Sequence, residues 1–380
     1  MLGWDKTMKL DKFEHQILVL QGGGALGAYQ AGVYEGLAEA GKAPNWIVGI
    51  SIGAINSALI AGNPPERRVE RLRAFWERVS SYAPLELPAW FVPLKPIFNQ
   101  VSAASVATFG VPGFFIPRLP PPFFALEGSP GALSFYTTEP LRRTLEELVD
   151  FERINRQELR LSLGAVNVRT GTSVYFDNQH TRISPDHVLA SGALPPGFPP
   201  VTIEGEYYWD GGVVSNSPLW YVFDVTPLRS AFILAVDLFS AQGDLPLNLD
   251  QVLERAKDIQ YASKRRFTTD RIRDLAETFS ALRRVLDKLP PDLKDDSDAQ
   301  KLASLCQDKD ITLVHLLNRH RSSSSQTKDY EFSRATVNQA WANGLEEVRR
   351  TVNKIDTTPP TVDMGLGIRL YELSCDTAID

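Results

Sequence analysis

The stretch "HQILVLQGGGALGAYQAGVYEGL", residues 15–37, opens on an apolar run, passes through glycines and continues with helix-like spacing. Read as G-x-G-x-x-G, Gly22, Gly24 and Gly27 match the turn that cradles a dinucleotide pyrophosphate. That reading requires an acidic residue at the end of the second strand, where it would hold the ribose hydroxyls. The second strand is expected at Trp46–Ile50 and runs into "GISIGAIN", residues 49–56, with no carboxylate. Glu35 and Glu39 precede it, but both fall on the expected helix. The dinucleotide reading fails at its confirming position.

What stands there instead is Gly49-Ile50-Ser51-Ile52-Gly53, a G-x-S-x-G between a strand pattern and a helix pattern. A sharp strand-to-helix turn holds a serine hydroxyl clear of its neighbours, and the flanking glycines leave room where the chain doubles back. At ordinary Gly and Ser usage roughly 0.1 such patterns arise by chance in a chain of this length. The following helix would present its positive end to an oxyanion forming nearby. The glycine loop then takes a different purpose. Acyl transfer needs uncovered backbone N–H donors, and glycines at 22–24 supply them on the same sheet edge. A third glycine-rich motif follows in "YYWDGGVVSNSPL", residues 207–219, where Asp210 ends a strand pattern ahead of Gly211 and Gly212.

Gly22-Gly23-Gly24, G-x-S-x-G and D-G-G, in this order, resemble the patatin-like phospholipase family. The resemblance spans about 16–240 and takes in "LASGALPPGFPPV" at 189–201. It implies a three-layer α/β fold with a parallel-sheet core between helices, and a Ser-Asp dyad without histidine. Ser51 would be the nucleophile and Asp210 the general base. Gly22, Gly23, Gly24 and Ile52 would form the oxyanion hole, with Gly27, Gly49, Gly53, Gly211 and Gly212 as motif glycines. Family members often carry Arg or Lys in the glycine loop, where this chain has Leu26. The implied activity is hydrolysis of lipid carboxylic esters through an acyl-enzyme, with no cofactor and no metal.

The alternatives are a general esterase or thioesterase acting on small soluble esters, a nucleotide binder, and a non-catalytic lipid-binding protein. The Ser…Asp…His order of other hydrolases would call on His315 or His320. His315 lies in the apolar run "TLVHLLN" and reads as structural, whereas His320 sits on a polar turn. His187 is the histidine expected nearest the site. His15 precedes the first strand and His180 falls in a polar loop.

Around these motifs the β-α-β rhythm of 15–82 predicts a parallel sheet covered by helices. Strands are expected at 16–21, Trp46–Ile50, 159–168, 172–176, 206–209, 231–239 and 310–319, with helices at 28–40, Ile52–Ala61, 65–79 and 334–353. The catalytic domain is expected over 15–245 and a mostly helical extension over 246–355, with "DYEFSRATVNQAW" resembling that of some bacterial members. Between 88 and 126 the only charges are Lys95 and Arg118, among many Pro, Phe and Trp residues. This insertion is read as an apolar cap offering Trp90, Phe91, Phe114, Phe115, Phe123 and Phe124 to acyl chains or a bilayer, or else as core packing. Prolines argue against a spanning helix there.

The chain's 380 residues, 43% hydrophobic and 23% charged, suffice for a large core. A net charge of −6 argues against nucleic acid as the main partner. Cys306 and Cys375 show no ligand spacing, and residues 1–16 lack the apolar centre of a signal peptide. The expected location is cytoplasmic, with peripheral contact at a membrane as the variant. The oligomeric state is not legible.

Overall fold

The runs near 16–20 and 46–50 do not alternate apolar with polar, the pattern of strands covered on both faces. In the computed structural model, which describes residues 10–80, 106, 108–225, 228–318, 330–355 and 358–373, they form β1 (His15–Leu20) and β2 (Trp46–Ile50). After β1 comes α1 (Gly27–Glu39), and after β2 come α2 (Ile52–Ala61) and α3 (Arg68–Val79). The helix expected from 65 begins as a 3-10 turn, Pro65–Arg67. A short hairpin, β3 (Ile116–Pro117) with β4 (Tyr136–Thr137), precedes α4 (Glu139–Leu148).

The second half of the motif region supplies β5 (Arg160–Asn167), β6 (Ser173–Asp177), α5 (Pro185–Ser191), β7 (Val201–Ile203) and β8 (Glu206–Asp210). It closes with α6 (Leu219–Val225) and β9 (Ser230–Asp237). Beyond 245 lie α7 (Leu249–Leu286), β10 (Asp310–Leu317), α8 (Arg334–Lys354), β11 (Val362–Gly365) and β12 (Ile368–Leu373).

One mixed sheet runs in the order β11-β12-β10-β9-β1-β2-β5-β8-β7, with β6 also paired to β5. Its centre, from β12 to β5, is parallel throughout. Successive residues of β1 point to opposite cores: Leu18 and Leu20 to one, Ile17 and Val19 to the other. The first core holds α1, α2, α3 and α8, and the second holds α6 and the Ile272–Ala276 side of α7. This is the expected parallel-cored sheet flanked by helices.

The region after 245, expected to be mostly helical with a strand at 310–319, supplies three strands of this sheet: the expected β10, and β11 and β12 besides. β10 pairs with β9 over eight residue pairs, and α8 lies along α1 with the backbones of Gly32 and Trp341 nearly touching. The apolar insertion divides. Trp90 and Phe91 fall outside the described residues, as do His320 and the polar run 321–327. Phe114 and Phe115 are buried against Phe198, with Phe114 also beside Phe75 and Phe332, so for these two the lipid-facing reading is corrected to core packing. Phe123 and Phe124 stand exposed. Among the described residues no helix is long and apolar enough to cross a membrane.

Candidate active site

Residue Ser51 follows the last residue of β2 and precedes the first of α2, at φ 57° and ψ −125°. A non-glycine residue there is strained by on the order of 1–3 kcal/mol and persists only where its surroundings enforce it. Two features enforce it here. The Ser51 N–H is held by the backbone carbonyl and hydroxyl of Ser191, each at 3.1 Å, and the Ser191 hydroxyl donates in turn to the Gly164 carbonyl at 2.6 Å. The chain also doubles back so tightly that a Cβ on Gly53 would lie 2.4 Å from the Leu20 carbonyl oxygen, and one on Gly49 equally close to that of Gly53. Ser51 therefore stands at a sharp strand-to-helix turn between Gly49 and Gly53.

Strand β5 brings Asp210 to it. β6 pairs with 162–166 of β5, overlapping the partners of both β2 (160–164) and β8 (165–167). A strand has two edges, so β2 and β8 share the edge opposite β6, end to end. Ile50 sits at Gly164 and Asp210 at the next position, Ala165. Gly211 fits against the Gly164 carbonyl, which a Cβ would approach to 2.8 Å. The Asp210 carboxylate accepts the Gly212 N–H at 2.7 Å, and the Ser51 hydroxyl lies close enough to favour its charged form. Asp210 is 1% exposed, and this burial pushes its carboxyl up to about 7 against the opposing pull of Ser51 and the Gly212 N–H.

The glycine loop closes the third side. The Gly22 position lies 3.0 Å from the Ser51 Cβ, measured from where its own Cβ would be. Gly22 is not a free donor, however. Its N–H reaches the Asn216 carbonyl at 3.2 Å, and the Asn216 side-chain amide donates to the Gly22 carbonyl at 2.7 Å. The N–H groups of Gly23, Gly24 and Ile52 meet no acceptor among the described residues, and Gly23 and Gly24 are partly exposed. Behind the loop, Gln21 accepts from the Leu238 N–H and donates to the Tyr261 carbonyl, while its own carbonyl accepts from Gln30. Leu26 is buried in the core. Gly27 packs against Ile52.

The histidines are engaged elsewhere. His187 Nδ1 takes the Ser184 N–H at 3.0 Å and its ring meets the Phe176 ring edge-on, with burial lowering its pKa. His315 is a buried partner of Asp237, at 2.7 Å, as its apolar run foretold. His15 starts β1, at the end of the strand away from Ser51, and His180 is exposed. Among the described residues no histidine bonds Ser51 or Asp210. No group of residues that could hold a metal ion occurs among them either.

Two residues of this site had no role assigned from sequence, Ser191 and Asn216. Each lies in a stretch noticed for its resemblance, 189–201 and 207–219, but a hydrogen bond across 140 or 194 residues leaves no local pattern.

A family model described as patatin-like phospholipase matches residues 18–223, and a second, described as patatin phospholipase, matches 259–361. Solved structures resemble the chain at low identity. The crystal structure of VipD from Legionella pneumophila aligns at TM-score 0.38 and 15% identity, over 90% of this chain and 67% of that one. A chain of the structure of SpcU with ExoU, from the type III secretion system of Pseudomonas aeruginosa, gives TM-score 0.28 and 13%, over 86% and 76%. No curated protein matches the sequence.

Proposed function

Because the chain belongs to the patatin-like phospholipase family, we propose that it hydrolyses the carboxylic esters of lipids through an acyl-enzyme on Ser51, with Asp210 as the base. The observation that carries this reading is a fully buried carboxylate, pushed up to about 7, that feels the Ser51 hydroxyl at the turn beside it. A base is most effective when its pKa lies near the working pH, and an exposed carboxylate would be too weak to draw a serine proton.

Asp210 takes the hydroxyl proton as Ser51 Oγ attacks the ester carbonyl carbon. The carbonyl oxygen becomes an oxyanion, for which the free N–H groups of Gly23, Gly24 and Ile52 are the available donors, at the positive ends of the helical turns that begin there. Gly22 supports that hole without donating to it. The tetrahedral centre collapses, the protonated Asp210 returns its proton to the departing alcohol, and the acyl group stays on Ser51. A water activated by Asp210 then attacks the acyl-enzyme and frees the fatty acid.

The test is a fluorophosphonate probe followed by a substrate panel. The chain should be labelled covalently and Ser51→Ala should not. Phospholipid, lysophospholipid and short-chain esters then define the class. Labelling that persists in a folded Ser51→Ala protein removes Ser51 as nucleophile. Faster turnover of small soluble esters than of any lipid ester favours the general esterase reading.

A further inference from the structure

Between β3 and β4 the chain leaves the core as a loop, residues 118–135, carrying large apolar side chains into solvent. Leu119, Phe123, Phe124 and Leu126 are 88%, 82%, 79% and 83% exposed. The loop is braced rather than slack. Prolines stand at 120, 121, 122 and 130, the Phe123 and Phe135 rings meet at 5.8 Å, and the Arg118 N–H closes the base on the Phe135 carbonyl at 2.9 Å.

Its root reaches the catalytic residues within a few positions. The Phe135 N–H donates to the Pro196 carbonyl and the Tyr136 N–H to that of Gly197. The same segment holds the Ser51 N–H through Ser191 and receives the Asp210 N–H on the Ala193 carbonyl. A surface that captured this loop would therefore be set beside the mouth of the site.

The geometry points to a lipid bilayer as that surface, with the loop's apolar tip entering the acyl-chain boundary. This rests on the lipid-ester reading of the site, which it deepens. Three features select hydrocarbon over a protein partner. A side chain four-fifths exposed stands clear of its neighbours, so a protein would need a separate pocket for each, whereas acyl chains close around all of them. The backbone asks less of water than most: of positions 119–125 three are prolines with no N–H, and of the other four N–H groups those of Phe124 and Ala125 donate to the carbonyls of Pro121 and Pro122. Charge is nearly absent. Glu127 is the loop's one carboxylate, and Arg118 turns its Nε back on the Ser134 hydroxyl at 3.0 Å.

The decisive experiment uses full-length Ser51→Ala protein, which leaves vesicles intact, sedimented with pure phosphatidylcholine vesicles. It should bind them with little salt dependence, as an uncharged contact does. Adding Leu119→Ser, Phe123→Ser, Phe124→Ser and Leu126→Ser should weaken partitioning at least about tenfold. In the active chain the same four changes should leave turnover of a monomeric short-chain ester within about twofold and reduce that of vesicular phospholipid at least about tenfold. Vesicle binding that is absent, or unchanged by the four substitutions, overturns the proposal. So does a dimer of the unaltered chain that these substitutions disperse, which would make a second copy the occupant. The vesicle arm needs no turnover. It decides the docking even if the active chain hydrolyses neither ester, an outcome that removes the hydrolase reading instead.

Discussion

Asn216 grips Gly22 from both sides, its carbonyl accepting the Gly22 N–H at 3.2 Å and its side-chain amide donating to the Gly22 carbonyl at 2.7 Å. The two residues join the loops that carry the proposed oxyanion donors and the proposed base. Fixing one peptide of the glycine loop fixes the direction of the next two. Asn216 also fills the space that a side chain on Gly22 would need, since a Cβ there would fall 2.3 Å from its Oδ1.

Asn216→Ala should therefore lower kcat by on the order of 10²-fold, comparable to loss of an oxyanion donor, with KM little changed. The rate of fluorophosphonate inactivation should fall in parallel. Asn216→Ser should recover little, because its hydroxyl is too short to span to Gly22. A variant that stays folded and keeps kcat within threefold or so would show the grip to be irrelevant to the chemistry.

Asp210→Asn should reduce turnover by on the order of 10²–10⁴-fold while keeping the shape of the site. Its effect on stability should run the other way. Between about pH 4 and about pH 7 the folded chain holds a proton on Asp210 that the unfolded chain does not, so this group's contribution is present at low pH and lost as pH rises through about 7. Thermal unfolding above pH 7 should show Asp210→Asn more stable than the unaltered chain, by up to roughly 4 kcal/mol. Near pH 4 the two should converge. A variant less stable across the whole range would mean that the carboxylate is not penalised by its burial.

The acid limb of activity should lie near pH 7, because the base must be ionised to act. An ordinary carboxylate would place it near 4, and that contrast with histidine is what makes pH profiles attractive for separating a dyad from a triad. Desolvation of Asp210 removes the contrast. The limb of the pH–kcat/KM profile should disappear in Asp210→Asn and remain in His187→Ala.

The histidines themselves separate by what their loss does. His187→Ala should keep activity within about tenfold, since its ring caps a helix. His315→Ala should instead lower the unfolding temperature, because it removes a buried hydrogen bond to the Asp237 carboxylate, a class of change costing about 1–3 kcal/mol. His315→Ala combined with Asp237→Asn should recover much of that loss. Activity lost in a fully stable His315→Ala protein would revive a histidine-assisted mechanism.

Ending the chain at 245 should give an insoluble or inactive protein, as it bares the whole edge of β9 where β10 pairs and strips α8 from α1. Milder changes test the same contact in the intact chain. A Cβ on Gly344 would fall 2.1 Å from the Tyr29 carbonyl oxygen, so Gly344→Val should destabilise the chain by several kcal/mol, read by urea unfolding. A stable, active fragment 1–245 would show that the catalytic region folds without the rest.

The sequence alone carried everything whose cause is local. Apolar runs without alternation mark strands covered on both faces, and β2 and α2 have the bounds that Trp46–Ile50 and Ile52–Ala61 predict. G-x-S-x-G marks the elbow because only small neighbours allow a chain to reverse there, and Ser51 has the strained backbone such a turn requires. The order of three glycine-rich motifs was enough to indicate the family. What depends on pairing between distant segments was silent. That β2 and β8 meet end to end on one edge of β5, that Asn216 occupies the Gly22 donor, and that β10 and β12 extend the catalytic sheet all follow from register and sheet order, which no single segment encodes. The apolar insertion shows the same division within a dozen residues: Phe114 and Phe123 look alike in sequence, yet one is packed on Phe198 and the other points into solvent. Hydrophobicity says that a side chain gains by leaving water, and only the tertiary structure decides whether the chain itself provides the place for it to go.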